Sequence, residues 1–386
     1  MHARRRISLV RLAALLSGLL LIFGLPAFAQ TESVLYNFAN PPDAYGPKCN
    51  LVRDAAGNMY GTTFSGGTNN RGAVFTVSST GTESVLYSFA GGADGMHPIG
   101  GLVRDTKTGN LYGTTVYGGT TNNGTVFMIT PTGTEKVLYS FLGGTDGANP
   151  YSGIVRSGTT IFGTTFNGGG FGYGTIFKLT AKGKETVLHS FNSAFPTLDG
   201  SFPYAGLVLR KGVLYGTSTL GGKSNLGTIF SITTAGAYSL LYSFEGGSAD
   251  GQGPNAAVAF DSSGNIFGGG GTDNARVIYK WSATGGEFVL HDFARNSTDG
   301  INPFAGLILF KKNFYGTTLQ GGGSANGGTV FKVTPTGTET VLHSFAGGAD
   351  GFNPYSAVVA GTNNTLYSTT LGGGASNLGT VFKLIP

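Results

Sequence analysis

Cysteine, tryptophan and charged residues are scarce in this sequence. Its single cysteine, Cys49, excludes an internal disulfide. Charged residues make up 11% of the chain, whereas tyrosine and phenylalanine number 17 and 28. A disordered, solvated chain would have more charge and fewer aromatic side chains, so the composition indicates a folded protein. Successive thirds of the chain look alike, which favours one domain rather than two.

Helical and catalytic motifs are missing as well. No segment after residue 29 places apolar residues at helical spacing, and the 68 glycines argue against helices. The chain has no Gly-x-Ser-x-Gly elbow, no Walker loop and no Cys-x-x-Cys pair. The glycine run at 168–170 is not followed by a helical pattern, so a phosphate site is not expected there. These absences leave the sequence without a recognisable catalytic signature.

The first 29 residues have the features of an export signal. Arginines at 4–6 precede an apolar run at 12–25, and Ala-Phe-Ala at 27–29 fits a signal-peptidase site before Gln30. The run is short for a transmembrane anchor, and no stop-transfer charges follow it. We therefore expect an exported chain, periplasmic or extracellular, with no membrane span after cleavage. Loss of four arginines lowers the formal charge from +5 to +1, so the basic composition does not indicate nucleic-acid binding.

One short motif recurs seven times along the chain. It first occurs as Val-Leu-Tyr-Asn-Phe at 34–38, and the phenylalanines that end its copies lie 49–53 residues apart. These phenylalanines are Phe38, Phe89, Phe141, Phe191, Phe244, Phe293 and Phe345. A period near fifty is typical of solenoids, propellers and linear arrays, so the architecture belongs to one of these classes.

Each repeat contains four strand-like runs, which we name A to D. In the second repeat they begin at Gly101, Asn110, Gly124 and Lys136. The runs are rich in Val, Tyr, Phe and Thr and are bounded by Gly, Asn, Asp or Pro, as strands and turns are. Seven units of four short strands each predict a β-propeller.

The two ends of the sequence are out of phase with the repeat. The chain after the signal opens on a D run at 34–38 and closes on a C run at 379–384. The last repeat lacks only strand D, and the N-terminal run can fill this gap, which removes unpaired sheet edges. We therefore predict an all-β fold over 30–386, a seven-bladed β-propeller of four-stranded antiparallel blades. The N-terminal strand would complete the last blade and close the ring.

The loops differ at the two ends of the predicted blades. The A–B and C–D turns are tight and lie at one end, whereas the longer, variable and glycine-rich D–A and B–C connections lie at the other. Binding residues concentrate on loops carried by a rigid scaffold, so we predict a functional face at the D–A/B–C rim. Tyr45, His97, Phe195 and Tyr204 lie in these loops and are candidate ligand-binding residues.

An aspartate occurs in every D–A loop, and Gly-x-x-Pro follows it in six of the seven. These candidate ligand-binding residues are Asp43, Asp94, Asp146, Asp199, Asp250, Asp299 and Asp350. A ring of carboxylates near the channel mouth would suit sugar hydroxyls or a hard cation such as Ca²⁺. Alternatively, each aspartate accepts hydrogen bonds from its own turn, and the repetition favours this second interpretation. Because no calcium-loop motif is present, calcium is only a weak expectation, and we predict no other cofactor or metal.

Several other polar positions have ordinary structural explanations. His189, His291 and His343 stand where other repeats have tyrosine, so we interpret them as packing substitutions rather than metal ligands. Threonine pairs that follow the B runs could contact a ligand, but threonine is also common in strands. The fifth repeat departs most from the pattern and contains the only tryptophan, Trp281. A symmetric scaffold often acts through its divergent blade, but sequence drift is the explanation that we favour.

Three motifs together carry a resemblance to a known family. Asn-Leu-Tyr-Gly-Thr-Thr at 110–115, Gly-Thr-Val-Phe-Lys at 328–332 and Val-Leu-Tyr-Ser-Phe at 85–89 are close copies of its signatures. Residues 31–386 resemble the GloVer tandem-repeat family, also called the Gloeo/Verruco repeat. The resemblance implies an exported bacterial protein without an established biochemical activity. Members often carry a C-terminal sorting anchor, whereas this sequence ends after a C run, so we expect release rather than retention at the surface.

Three functions stay open at this point. The first is a noncatalytic binding or scaffold protein, monomeric, with a polysaccharide or protein ligand on the D–A/B–C rim. The second is an extracellular hydrolase or lyase acting on glycans, which requires two carboxylates without backbone partners, roughly 5–9 Å apart in a cleft. The third is a structural cell-envelope protein, which would have no pocket where polar groups converge.

Overall fold

The computed structural model describes residues 30–194, 198–247, 250–271, 276–293 and 298–386. Within these ranges the fold is all-β, with seven four-stranded antiparallel sheets and three short 3-10 turns. The prediction of a seven-bladed β-propeller is confirmed. The predicted signal peptide at 1–29 and the candidate Phe195 lie outside the described residues.

The strands A to D follow one another along the chain in blades 1 to 6. The bounds in blades 1 to 3 are Val52–Arg53, Met59–Thr63, Ala73–Val77 and Glu83–Ser88; Val103–Arg104, Leu111–Thr115, Thr125–Ile129 and Glu135–Ser140; Val155–Ser157, Thr160–Thr165, Thr175–Leu179 and Glu185–Ser190. Those in blades 4 to 6 are Val208–Arg210, Val213–Ser218, Thr228–Thr233 and Tyr238–Ser243; Ala259–Phe260, Ile266–Gly270, Val277–Ser282 and Gly286–Asp292; Ile308–Phe310, Asn313–Thr318, Thr329–Val333 and Glu339–Ser344.

Blade 7 combines strands from both ends of the chain. Val359–Ala360, Leu366–Thr370 and Thr380–Ile385 are its strands A to C, and Thr31–Asn37 pairs antiparallel with the last of these. The register runs from Thr31 opposite Ile385 to Asn37 opposite Thr380. The predicted closure by the N-terminal strand is therefore confirmed.

Strand D of each blade contains a β-bulge at the leucine of the repeated motif. In blade 2, Tyr139 pairs with Val126 and Val137 pairs with Phe127, so Leu138 between them has no partner residue. Bulges bend a strand and increase its twist, which discourages edge-to-edge pairing of an outer strand. The motif Val-Leu-Tyr-Ser-Phe is therefore the sequence form of a bulged outer strand.

Neighbouring blades are joined by pairs of aromatic rings. The phenylalanine that ends each strand D packs edge-to-face on the central aromatic residue of strand C in the next blade, with ring centroids 5.1–5.3 Å apart. The pairs are Phe38–Phe75, Phe89–Phe127, Phe141–Phe177, Phe191–Phe230, Phe244–Tyr279, Phe293–Phe331 and Phe345–Phe382. Each pair lies in an apolar cluster that spans two blades. The core of this protein is thus divided among seven interfaces between blades.

Strand B in six blades has a glycine beneath the aromatic ring of strand C. A Cβ atom on Gly113 would lie 2.7 Å from the ring of Phe127, its partner across the sheet. This close approach explains the recurring Tyr-Gly-Thr-Thr sequence. In blade 5 the ring is Tyr279, and Trp281 further along the same strand packs against the cluster between blades 4 and 5. The odd residues of the fifth repeat therefore contribute to packing.

Substitution of Phe38 tests the role of the closing interface. Phe38 is fully buried, so Phe38→Ala should lower the free energy of unfolding by about 3–5 kcal/mol through lost burial and a cavity. Phe288→Ala is the matched control, because Phe288 is 50% exposed and should cost under about 0.5 kcal/mol. Chemical denaturation of the two variants measures both values. If both substitutions lowered the free energy of unfolding equally, the N-terminal strand would not depend on the Phe38 contact.

Candidate functional site

The D–A and B–C loops form one ordered rim. Short backbone pairings join them, such as Ala44–Tyr45 with Ser65–Gly66 and Gly300–Ile301 with Gln320–Gly321. Single bridges join the equivalent loops of other blades, for example Met96 with Tyr117. Because the loops pair through their backbones, the rim presents side chains from a fixed frame.

The loop aspartates lie beside the outer strand D and are bonded to their own turns. Asp94 accepts hydrogen bonds from the hydroxyl of Tyr87 at 2.9 Å and from the backbone N–H of Ala90 at 2.5 Å. Asp146 repeats this arrangement with Tyr139 and Leu142. The other five aspartates also accept a backbone N–H from the loop, namely Asp43, Asp199, Asp250, Asp299 and Asp350. The geometry supports the structural interpretation, and ligand binding by these residues stays a prediction.

A glutamate from the next blade approaches six of these aspartates. The partners, in the order Glu then Asp, are Glu32 and Asp350, Glu83 and Asp43, Glu135 and Asp94, Glu185 and Asp146, Glu287 and Asp250, Glu339 and Asp299. Burial, together with the charge of Asp94, raises the pKa of Glu135 to about 7, and the equivalent causes raise that of Glu185 to about 8. In the fourth repeat Tyr238 takes the place of the glutamate and donates to the backbone oxygen of Asp199.

His97 has a structural position on the rim. It has a positive φ of 57°, and its Nδ1 lies 2.7 Å from the backbone oxygen of Phe64 in the preceding blade. Asn149 and Asn353 occupy the same position in other repeats and donate to the equivalent backbone oxygens at 3.0 and 2.7 Å. His97 therefore links two blades as these asparagines do, and its role in binding stays a prediction.

Tyr204 belongs to a ring of residues at the mouth of the central channel. Each of these residues directly follows the proline of a D–A loop, and most of them line one cavity around the propeller axis. We call this set the channel mouth: Lys48, Ile99, Tyr151, Tyr204, Asn255, Phe304 and Tyr355. The position holds five different residue types in the seven blades, with tyrosine in three of them, whereas the proline before it is the same in all seven. The structure thus brings the variable residues of a symmetric scaffold together at one place.

Aromatic rings dominate the channel mouth. Tyr151 stacks on Tyr204 with ring centroids 5.5 Å apart, and Phe304 contacts Tyr204 and Tyr355 edge-on or tilted at 5.4 and 4.7 Å. The hydroxyls of Tyr204 and Tyr355 share a hydrogen bond of 2.8 Å across the axis. Burial raises the pKa of Tyr151 to about 12, and it also raises the pKa of Tyr204. Both phenols therefore stay protonated at neutral pH.

Lys48 is the single charged residue of the channel mouth. Its ammonium nitrogen lies 4.4 Å from the ring centroid of Phe64 and 5.9 Å from that of Tyr355. Burial lowers the pKa of Lys48, and the aromatic faces stabilise its charged form by cation–π attraction. The mouth therefore offers one cation, phenolic hydroxyls and apolar ring surface.

The channel below the mouth is narrow. Its cavity has a volume of about 80 Å³, well below the range of ordinary small-molecule pockets, so a ligand would lie across the mouth. Small residues line it because the inner segments of neighbouring blades nearly touch. A Cβ atom on Gly100 would lie 2.4 Å from the backbone nitrogen of Gly153. No aspartate or glutamate is among the described lining residues.

Larger grooves occur between blades at the opposite end. One groove of about 500 Å³ lies between blades 2 and 3, where Arg156 packs on Tyr112 at 4.2 Å and pairs with Asp105 at 2.9 Å. A similar groove of about 310 Å³ lies between blades 1 and 2 and includes Tyr60 and Arg104. Because the groove recurs with the same residue types, it follows from blade geometry and does not single out one site.

The threonines after the B strands are buried and bonded within the protein. The first of the pair reaches the next blade in several repeats, as Thr114 does by donating to the backbone oxygen of Ser152 at 2.8 Å, whereas Thr164 bonds to Ser152 of its own blade. The second pairs with a threonine of strand C in most repeats, as Thr115 does with Thr125 at 2.8 Å. Their arrangement supports the structural interpretation of these residues.

Six residues of the channel mouth were not among the sequence candidates, namely Lys48, Ile99, Tyr151, Asn255, Phe304 and Tyr355. Each follows a rim proline that is the same in all seven repeats, whereas this position holds five different residue types. That contrast between repeats is the signal that could have identified them. Tyr45, a candidate, lies apart from the mouth, and its hydroxyl donates to Asn70 Oδ1 at 2.6 Å.

Comparison with known proteins agrees with the fold and with the repeat. The sequence matches the Gloeobacter/Verrucomicrobia repeat family over residues 21–170, 106–269 and 221–386. The chain belongs to this family. The sequence resemblance is thereby confirmed for this repeat protein, whereas no curated protein matches it.

Several solved structures are similar to this family member in fold. The extracellular domain of a B. thetaiotaomicron protein described as a hybrid two-component system shares 13% identity, with a TM-score of 0.53, and the alignment covers 92% of this chain and 41% of that one. A puromycin hydrolase mutant shares 12%, with a TM-score of 0.47 and coverages of 85% and 50%. TolB from Acinetobacter baumannii shares 12%, with a TM-score of 0.40 and coverages of 87% and 78%. The similarity to the extracellular domain supports the propeller fold and nothing about function.

The described residues contain no helix long and apolar enough to cross a membrane.

Stability should decrease as the pH rises from 5 to 8. A glutamate with a raised pKa contributes stability that is present below about 4.5 and is lost as the pH rises through about 7 to 8. The double variant Glu135→Gln, Glu185→Gln stays uncharged at these positions, so it should lose less stability than the parent protein as the pH rises. Thermal unfolding across this pH range measures the difference. The control is Glu245→Gln, which alters an exposed pair with Lys223; equal pH dependence in all three proteins would contradict the explanation.

Proposed function

We propose that this protein is an exported, noncatalytic binding propeller whose ligand is a polysaccharide that lies across the channel mouth. The observation that carries the proposal is the convergence of variable residues there. In a repeated scaffold, positions that serve the fold recur in every blade, as the rim prolines do. The equivalent position after the proline holds five different residue types, among them Lys48, Tyr204 and Phe304, so the fold does not require any one of them.

The chemistry of the mouth suits a sugar. Aromatic faces pack against the apolar faces of pyranose rings, and phenolic hydroxyls exchange hydrogen bonds with sugar hydroxyls. Tyr204 and Tyr355 supply both, and Lys48 adds a cation that favours an acidic sugar such as a uronate. A stable protein partner would contact about 20–30 residues on each side, whereas the channel mouth consists of seven residues. These considerations favour a glycan over a protein as the ligand.

The hydrolase or lyase alternative receives less support from the geometry. The described lining of the channel has no carboxylate, and the loop aspartates accept hydrogen bonds from their own turns. A structural envelope role predicts no convergence of polar groups, whereas hydroxyl and ammonium groups converge at the mouth. Binding therefore accounts for more of the observed arrangement than either alternative.

Binding at the mouth can be tested with glycan arrays and then by titration of the best ligand. Tyr204→Ala and Tyr355→Ala should each weaken binding about tenfold or more, because a central aromatic contact contributes on the order of 1–2 kcal/mol. The control is Phe171→Ala, since Phe171 is 57% exposed on a B–C loop of the same rim and not part of the mouth. Lys48→Met should reduce the preference for acidic over neutral glycans.

The same experiment can contradict the proposal. Absence of any glycan ligand, or a ligand bound equally well by the Tyr204 and Tyr355 variants, would overturn it. Equal unfolding temperatures of the variants and the parent protein would show that lost affinity does not reflect unfolding. Tyr204→Phe, which removes only the hydroxyl, separates stacking from hydrogen bonding.

Export is tested separately by the N-terminus of the secreted product. Expression of the full sequence in a Gram-negative host should yield a periplasmic or extracellular protein that begins at Gln30. N-terminal sequencing measures this. Ala29→Asp is the control, because a charged side chain at the cleavage position should block processing and leave the precursor; a product that begins at Met1 without this change would contradict the assignment.

A further inference from the structure

The interface between blades 6 and 7 brings together an imidazole and two carboxylates. His343 lies on strand D of blade 6, and Asp350 follows in the D–A loop. Glu32 comes from the N-terminal strand, which completes blade 7. The three residues offer ligand atoms that all lie within 4.8 Å of one another. His343 and Asp350 are close in sequence, whereas Glu32 is far from both, so ring closure brings the glutamate to this group.

The contacts within this group leave room for a cation. His343 Nε2 lies 3.0 Å from Asp350 Oδ1, while Asp350 Oδ2 accepts the backbone N–H of Ala346 at 2.7 Å. Glu32 Oε1 is shielded from solvent and has no hydrogen-bond partner in the described part of the chain, and the same is true of the equivalent oxygens at interfaces without histidine, such as those of Glu83 and Glu135. The side chains of His343 and Asp350 are both 22% exposed. Four-coordinate zinc with bonds near 2.0 Å separates its ligand atoms by about 3.3 Å, so small side-chain movements would complete a site.

We propose that His343, Asp350 and Glu32 bind a divalent transition-metal ion, which connects the N-terminal strand to blade 6. An imidazole nitrogen with two carboxylate oxygens is a ligand set that suits zinc and similar ions. Calcium prefers six to eight oxygen ligands, so it fits this set poorly. A divalent ion would also balance the two carboxylates, for which no lysine or arginine partner occurs among the described ion pairs.

A second copy of the group lies one blade earlier. His291, Asp299 and Glu339 also place their ligand atoms within 4.8 Å of one another, with His291 Nε2 3.3 Å from Asp299 Oδ2. Together the two groups predict two bound ions per chain.

The remaining interfaces provide internal comparisons. At four of them a tyrosine replaces the histidine; these tyrosines are Tyr36, Tyr87, Tyr139 and Tyr242. At the fifth, His189 is 2.9 Å from Asp199, but Tyr238 replaces the glutamate and stacks on the imidazole at 4.0 Å. Only two of seven equivalent interfaces therefore combine imidazole, aspartate and glutamate. Repeat geometry accounts for the carboxylates, whereas it does not require the histidines.

The experiment uses untagged protein that begins at Gln30, dialysed to remove metals. Isothermal titration with zinc should show two bound ions, and zinc should raise the unfolding temperature. His343→Tyr should bind one ion, and the double variant His291→Tyr, His343→Tyr should bind none. Tyrosine occupies these positions in other blades, so the variants should fold. The matched control is His189→Tyr, which should still bind two ions.

Two results would overturn the proposal. One is no zinc binding by the parent protein, which would mean that His343 simply replaces tyrosine as a hydrogen-bond donor to Asp350. The other is undiminished zinc binding by the double variant. Glu32→Gln provides an independent check, because it keeps the side-chain shape, removes one ligand charge and should weaken binding at the closing site at least tenfold. Excess calcium should not displace the zinc.

Discussion

The edge-to-face contact between phenylalanines of neighbouring blades is the interaction on which this structure depends. Each blade is a small sheet with little core of its own, so its apolar residues are buried mainly against the next blade. The contact between Phe38, which follows the N-terminal strand of blade 7, and Phe75 on strand C of blade 1 has the same geometry as the other six. Loss of one interface would therefore open a ring whose other interfaces are intact.

The same repetition organises the polar groups on the rim. Each loop aspartate takes a backbone N–H from its own turn and a side-chain hydroxyl or imidazole from its own strand D. A glutamate from the next blade then adds a second carboxylate at six interfaces. The hydrogen bonds that hold the rim are made by residues that recur in every blade. The blades differ instead at the channel mouth.

The sequence predicts the fold well because the relevant signals are local. The repeated motif and the four strand-like runs lie within single repeats, and comparison of the first run with the last gives the phase of the two ends. The residues that converge could not be found in this way. Lys48 and Tyr355 meet only because the ring closes, and Glu32 reaches His343 only because the first strand pairs with the last. The sequence predicts Tyr204 as a candidate from its loop. Tyr151 and Phe304 become candidates only when the structure shows which residues surround the propeller axis.

The pairing of Thr31–Asn37 with Thr380–Ile385 has a consequence for biogenesis. The strand made first by the ribosome finds its partner only after the final strand has been synthesised. Until then blade 7 lacks its complete sheet, and the face of blade 1 that packs against it stays uncovered. Completion of the ring is therefore delayed until the last strand has been synthesised.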